Sequence, residues 1–178
     1  MGGPEAVCGA IGLEATPPRK FKRLFGLGFG LAVVTLALDQ LSKWWILAFV
    51  MNPPKIISVT PFFNLVFAWN KGVSFGMFND QGDSGAWILS AIAILITLVL
   101  IFWLIKAKTN ITAIGLGAII GGAIGNVIDR LNHGAVLDFL DFYVINLHWP
   151  AFNAADSFIT IGAITLIWET LFYQHKSG

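Results

Sequence analysis

The chain has 178 residues, room for about one domain. Hydrophobic residues make up 56% and charged residues only 12%, about half the charge of a soluble domain, which excludes an ordinary soluble globule and indicates a polytopic membrane protein. The net charge of +1 implies no nucleic-acid field. Cys8 is the single cysteine, and His133, His148 and His175 lie far apart, so neither an internal disulfide nor a metal cluster is expected.

Residues 1–23 are expected to be a mobile cytoplasmic tail. They are rich in Gly, Pro and Ala as far as Pro18, then carry Arg19, Lys20, Lys22 and Arg23. The first apolar run begins only after Arg23 and shows no small-residue cleavage site, so no cleavable signal peptide is expected. A first span is predicted from Leu24 to Val50, closed by Pro53 and Pro54. It carries Asp39 and Lys43 at i and i+4, read as a structural ion pair, and Trp44 and Trp45 suit an interfacial belt.

Lys55–Ala68 mixes β-branched and aromatic residues around a turn-like Thr60-Pro61, which predicts short strands lying on the outer leaflet. Asn70 and Gly72 follow; Asn70 serves equally to bind an extended backbone or to cap a local turn. The polar loop Asn79–Gly85 contains Asp83-Ser84-Gly85, which matches the triplet of pepsin-like proteases. It follows no apolar strand and is dismissed as a catalytic signal. A second span is predicted from Ala86 to Ile105, with Lys106 and Lys108 in a short cytoplasmic loop.

The third span, Ile111 to Ile128, repeats glycine at 117, 121 and 125, a stripe that lets helix backbones approach closely. Asn126 and Asp129 share a face at its end, while Arg130 points elsewhere. Leu131–Pro150 is aromatic and amphipathic and suits an interfacial element or lid. A fourth span runs from Phe158 to Tyr173, with Asn153 and Asp156 at capping-box spacing before it. Four spans place both termini in the cytoplasm and gather Asp39, Asp129, Asp138, Asp141 and Asp156 at the opposite membrane face.

Carboxylates are therefore the available reagents. Two held close share a proton, so that one activates water and the other, protonated, polarises a carbonyl. Asp156 is favoured as an anion by a helix N-terminus, although its spacing fits a plain cap equally well. Asp138 and Asp141 fall on opposite sides of a strand or on one side of a helix, and the pattern does not choose between them. A different class, a proton or ion relay, calls for acids at several depths, whereas the middles of these spans are clean.

Four blocks occur in order: Asp39-Gln40-x-Ser42-Lys43; Asn70-Lys71-Gly72-Val73-Ser74-Phe75; Gly125-Asn126-x-x-Asp129-Arg130 followed by Val136-x-Asp138-Phe139; and Phe152-Asn153-x-Ala155-Asp156-Ser157. With them the chain resembles the bacterial lipoprotein signal peptidases (signal peptidase II) over about 150 residues, from the Asp39–Lys43 span onward. The resemblance implies an all-α polytopic fold of four transmembrane helices with a small extracytoplasmic β-cradle and an interfacial helix or lid. It implies one membrane protease domain over residues 24–174, followed by a short cytoplasmic tail at 175–178. It implies an aspartic endopeptidase whose catalytic pair matches Asp138 and Asp156. Asp39, Lys43, Asn70, Gly72, Asn126, Asp129, Arg130 and Asn153 match the support of the site, and Asp141 inherits no role. The implied substrate is a prolipoprotein cut before a diacylglyceryl-modified cysteine, at the outer face of the bacterial inner membrane. No cofactor is implied, membrane lipid is the surrounding partner, and a monomer is expected.

Overall fold

The computed structural model describes residues 18–72 and 84–172. The expected tail to residue 17, Val73–Phe75 of the second block, Asp83, and Tyr173, His175 and Lys176 lie outside them.

The helices α1 (Pro18–Trp45), α2 (Ser84–Ile105), α3 (Asn110–His133) and α4 (Ala154–Phe172) are long and apolar enough to cross a membrane. α1 starts six residues before the predicted span and is extended by a π-helical turn, Ile46–Val50, in which Met51 N–H donates to the Ile46 carbonyl at 2.8 Å. Pro53 and Pro54 follow after Met51 and Asn52 and cannot continue the ladder. α3 runs five residues beyond the predicted Ile128. Thr109 caps its start, accepting from Thr112 N–H at 3.0 Å, and Gly134 closes its end with φ +69°.

α3 is the axis of the bundle, in contact with α1, α2 and α4, and its most apolar window is 61% buried against 28% or less in the other spans. The glycine stripe makes this possible. A Cβ at Gly117 would run into the backbone of Gly28, and one at Gly121 into Ala32 and Thr35, all on α1. On another face Gly122 lies against the Ala155 carbonyl of α4. The stripe is thus used inside the chain. Leu24, Ala32, Leu104, Leu116 and Ile120 fill the core at the basic end of the bundle.

At the other end sits an antiparallel four-stranded sheet in the order β1 (Ile57–Thr60), β2 (Phe63–Asn70), β3 (Val136–Val144), β4 (Leu147–His148). The first two strands and their turn at Thr60-Pro61 are those predicted. Leu131–Pro150, expected as an interfacial element, is chiefly sheet: its β-branched and aromatic residues complete the pairing that β2 begins. Ile46, Met51, Leu137 and Phe139 bury the junction between sheet and bundle.

β2 pairs Asn64 with Asp141 and Leu65 with Leu140, then Ala68 with Asp138 and Asn70 with Val136. The interval from Leu65 to Ala68 answers the shorter one from Leu140 to Asp138, so β2 carries one extra residue, a β-bulge. Asn64 and Asn70 would share a face of a regular strand. The bulge turns them to opposite faces, where each meets a different aspartate.

Candidate active site

Because β3 is extended, Asp138 and Asp141 point to opposite sides of the sheet. Asp138 is 2% exposed. Its Oδ2 accepts from Asn70 Nδ2 at 3.0 Å and its Oδ1 from Asn153 Nδ2 at 2.7 Å. Asn70 also accepts from Gly72 N–H at 2.8 Å, so it caps a turn through its oxygen and holds Asp138 through its nitrogen. Gly72 has φ +84°, the left-handed region that suits glycine.

Asn153 reaches Asp138 because the chain returns along β3. Phe152 N–H donates to the Leu140 carbonyl at 3.0 Å, and the Phe152 carbonyl accepts from Phe139 and Leu140 at 3.1 and 2.9 Å. Two residues later, at Ala154, α4 begins. Asn153 and Asp156 form the reciprocal box that their spacing predicts: Asp156 N–H donates to Asn153 Oδ1 at 3.1 Å, and Asn153 N–H donates to Asp156 Oδ2 at 3.2 Å. Asn126 Nδ2 donates to the other oxygen of Asp156 at 2.8 Å. A single asparagine, Asn153, therefore bonds to both Asp138 and Asp156, and each of these carboxylates receives two N–H donors.

Burial pushes the Asp138 carboxyl up to about 6. The Asn70 and Asn153 amides favour its ionised form and hold the rise back, and the charge of Asp156 adds to it. Asp141 behaves oppositely. Burial pushes it up, but His148 and Asn64 outweigh that and hold it below the usual carboxylate range. Asn64 Nδ2 donates to it at 3.0 Å, and His148 Nδ1 lies 2.9 Å from both of its oxygens. Asp141 thus joins β2, β3 and β4.

Beneath the pair lies a buried charge cluster. Lys43 Nζ is 2.8 Å from Asp39 Oδ2 and 2.8 Å from Asp129 Oδ2, and donates to Asn126 Oδ1 at 3.1 Å. Asp39 Oδ1 accepts from Ala155 N–H at 2.9 Å, which ties α1 to the start of α4. The Asp39–Lys43 ion pair expected from spacing is present, with Asp129 as a third member. Lys43 lies between two buried carboxylates, and their Coulomb attraction counters part of the desolvation of the three. A Cβ on Gly125 would collide with the Asp39 carboxylate, so the last glycine of the stripe gives this cluster its room. Arg130 Nη1 donates to the Asn126 carbonyl at 3.2 Å; its Nε is buried with no partner among the described residues.

All ten candidate residues named from the sequence lie at this end of the molecule. Sequence reasoning missed Gln40, whose Nε2 donates to Asp39 at 3.1 Å and to Asp129 at 3.1 Å. Its signal was an amide at the end of a membrane span, a group that requires partners. Asn64 and His148 were also missed, because their meeting with Asp141 depends on a register that the sequence does not display.

Four apolar spans, a small sheet at one end, and two carboxylates joined through one asparagine at that junction define a helical membrane protein with a carboxylate site. Comparison with known proteins narrows the class. The model of the family described as signal peptidase (SPase) II matches residues 31–172. The chain is 43% identical over 150 residues to the lipoprotein signal peptidase of Rhodopseudomonas palustris strain TIE-1, covering 82% of this chain and 92% of that one. It is 46% identical over 139 residues to that of Aeromonas hydrophila, covering 77% and 83%. A bacterial membrane enzyme solved by the in meso method at 2.3 Å superposes with a TM-score of 0.72 at 29% identity, over 86% of this chain and 92% of that one. A second such structure, at 1.9 Å, gives 0.71 at 31% identity, over 83% and 94%. The chain belongs to the signal peptidase II family and is a protease.

Proposed function

We propose that this protein is an aspartic endopeptidase that removes signal peptides from prolipoproteins, using Asp138 and Asp156 to activate water. The observation that carries the reading is the bridge through Asn153, which ties the two carboxylates into one hydrogen-bonded unit. Asp138, buried and raised to about 6, is the partner that holds the shared proton. Asp156, at the N-terminus of α4, is the anion. Asp156 takes a proton from water as its oxygen attacks the scissile carbonyl, while Asp138 donates a hydrogen bond to the carbonyl oxygen. The tetrahedral intermediate, its oxyanion held by that hydrogen bond, re-forms the carbonyl and breaks the C–N bond as Asp156 passes the proton to the leaving amide nitrogen.

The other residues support this pair. Asn70, Asn126 and Asn153 aim N–H groups at the carboxylates, and Asp39, Lys43 and Asp129 anchor α1, α3 and α4 beneath them. Gly72 completes the Asn70 turn, and Arg130 supplies a cation beside the site. The substrate cysteine carries diacylglycerol, and the cut falls just before it. Lys22, Arg23, Lys106 and Lys108 lie at the end away from the sheet, so by the positive-inside rule that end faces the cytoplasm of a bacterial inner membrane and the site faces outward. A relay is disfavoured because Asp39, Asp129, Asp138 and Asp156 gather at one depth instead of crossing the bundle.

The test uses purified protein in detergent with a diacylglyceryl-modified prolipoprotein. Asp138→Asn and Asp156→Asn are each expected to abolish release of the signal peptide while eluting as folded protein. Cleavage by either variant rejects the pair. Proton flux in liposomes without proteolysis selects the relay.

A further inference from the structure

The turn that joins β3 to β4 does not fix its own register. Its residues are Ile145 and Asn146, and Ile145 stands at φ +59°, a left-handed conformation that a β-branched side chain disfavours. β4 has two residues, and Ile145, Leu147 and Trp149 around the tip are exposed, so neither a long ladder nor apolar cover holds the hairpin closed. The leg that returns through β4 is also irregular. The interval from His148 to Phe152 answers the shorter one from Tyr143 to Leu140, so this leg carries one extra residue, and Pro150 within it has no N–H to pair.

We infer that Asp141 and His148 are positioning residues for the carboxylate pair: their contact sets the spacing of the two legs that carry Asp138 and Asn153. The inference rests on the proposed use of Asp138 and Asp156 in proteolysis. Asp141 is buried on the face of β3 opposite Asp138, and its two oxygens lie 2.9 Å from His148 Nδ1. The imidazole stacks on Tyr143, its partner across the strands, with ring centroids 4.9 Å apart. On the other flank Asn64 Nδ2 donates to Asp141 at 3.0 Å, and Ser58 Oγ donates to Asn64 Oδ1 at 2.9 Å, which turns the amide nitrogen toward the carboxylate. One carboxylate therefore ties β3 to both neighbours. It does so next to the two places where they shift register, Leu65–Ala68 on β2 and His148–Phe152 on the return leg.

Both legs lead from this pin to the site. β3 runs back to Asp138, and the return leg runs on to Asn153, whose Nδ2 donates to Asp138 at 2.7 Å and whose box holds Asp156. When His148 lets go, the return leg is free to shift about its extra residue, and the Asn153 donor is the contact that Asp138 loses. That donor favours the ionised carboxylate, so its loss lets Asp138 keep its proton to higher pH. The other charges facing Asp138 are Asp156 of α4, Lys43 of α1 and Arg130 of α3, all on helices outside the hairpin.

The test follows prolipoprotein cleavage by full-length protein in detergent as a function of pH, with the thermal midpoint measured beside it. The His148 side chain is 53% exposed, so its replacement removes the contact without opening a core cavity. His148→Leu is expected to lower kcat by about tenfold with KM nearly unchanged, and to move the basic limb of kcat/KM to higher pH. His148→Asn, which offers an amide N–H in place of Nδ1, is expected to recover most of kcat and return the limb. Asp141→Asn keeps the side-chain shape but loses an acceptor oxygen, and should move both readouts in the direction of His148→Leu. A fixed limb, with kcat falling only as the folded fraction falls, identifies plain sheet stability and overturns the inference. So does an unchanged kcat in His148→Leu. Wild-type protein that fails to release the signal peptide rejects the proteolytic reading itself. Wild-type cleavage with a fixed limb in the variants rejects only the positioning role.

Discussion

At the scale of single residues, the site is a competition between burial and amide donors over one proton. Asp138 is lifted to about 6 because burial outweighs the donors from Asn70 and Asn153. If catalysis needs Asp138 protonated, kcat/KM is high below that value and falls as pH rises through it. Asn70 stabilises the ionised form, so its removal favours the proton. Asn70→Ala is therefore expected to move the basic limb of kcat/KM to higher pH, measured as cleavage of a prolipoprotein between pH 5 and 9. A limb that moves down, or stays fixed, contradicts the role given to Asn70. Bound substrate excludes water and raises the same carboxyl further, so the limb of kcat should lie above that of kcat/KM.

Among elements, α3 sets the architecture, and its glycines do so by what they lack. Gly121 has no room for a methyl group against Ala32 and Thr35, whereas Gly30 on α1 has nothing within 4 Å of an added Cβ. Both are helical, so alanine gains about 0.5–1 kcal/mol of helix propensity at either position. At Gly30 that gain stands alone, and Gly30→Ala should raise the thermal midpoint in detergent. At Gly121 the helix backbones must separate, and Gly121→Ala should lower the midpoint and, through the displaced α1, weaken cleavage. Equal shifts for the two variants exclude close packing as the role of the stripe. This much was legible in the sequence: a four-residue glycine period on an apolar span has a physical meaning that needs no tertiary knowledge. The spans, the first hairpin, the Asp39–Lys43 pair and the Asn153–Asp156 box were legible for the same reason, since each is a pattern of local spacing. The choice between Asp138 and Asp141 was not legible from spacing. It depends on β3 being extended and on the bulge in β2 that sends Asn70 to one aspartate and Asn64 to the other. One extra residue inverts the faces of a strand without leaving a trace in composition.

On the scale of the whole molecule, the chain separates two chemistries along the bundle axis. One end holds Lys22, Arg23, Lys106 and Lys108 with the Thr109–Thr112–Glu169 cluster. The other holds the sheet, the Lys43 cluster and the carboxylate pair. This polarity is what the proposed orientation rests on, with the basic loops on the cytoplasmic side. Lys108, in the exposed connection between α2 and α3, and Asn146, at the exposed tip between β3 and β4, report on the two ends. With Cys8 replaced by serine, a membrane-impermeant maleimide applied to intact spheroplasts should label Asn146→Cys and spare Lys108→Cys until the membrane is opened. The reverse pattern would put the carboxylates in the cytoplasm and overturn the proposed topology. Labelling of both from outside would mean that the basic end does not hold the chain in one orientation. On the proposed topology the outward-facing site matters to the chemistry, since a prolipoprotein held in the bilayer would present its cleavage site at the depth where α4 begins.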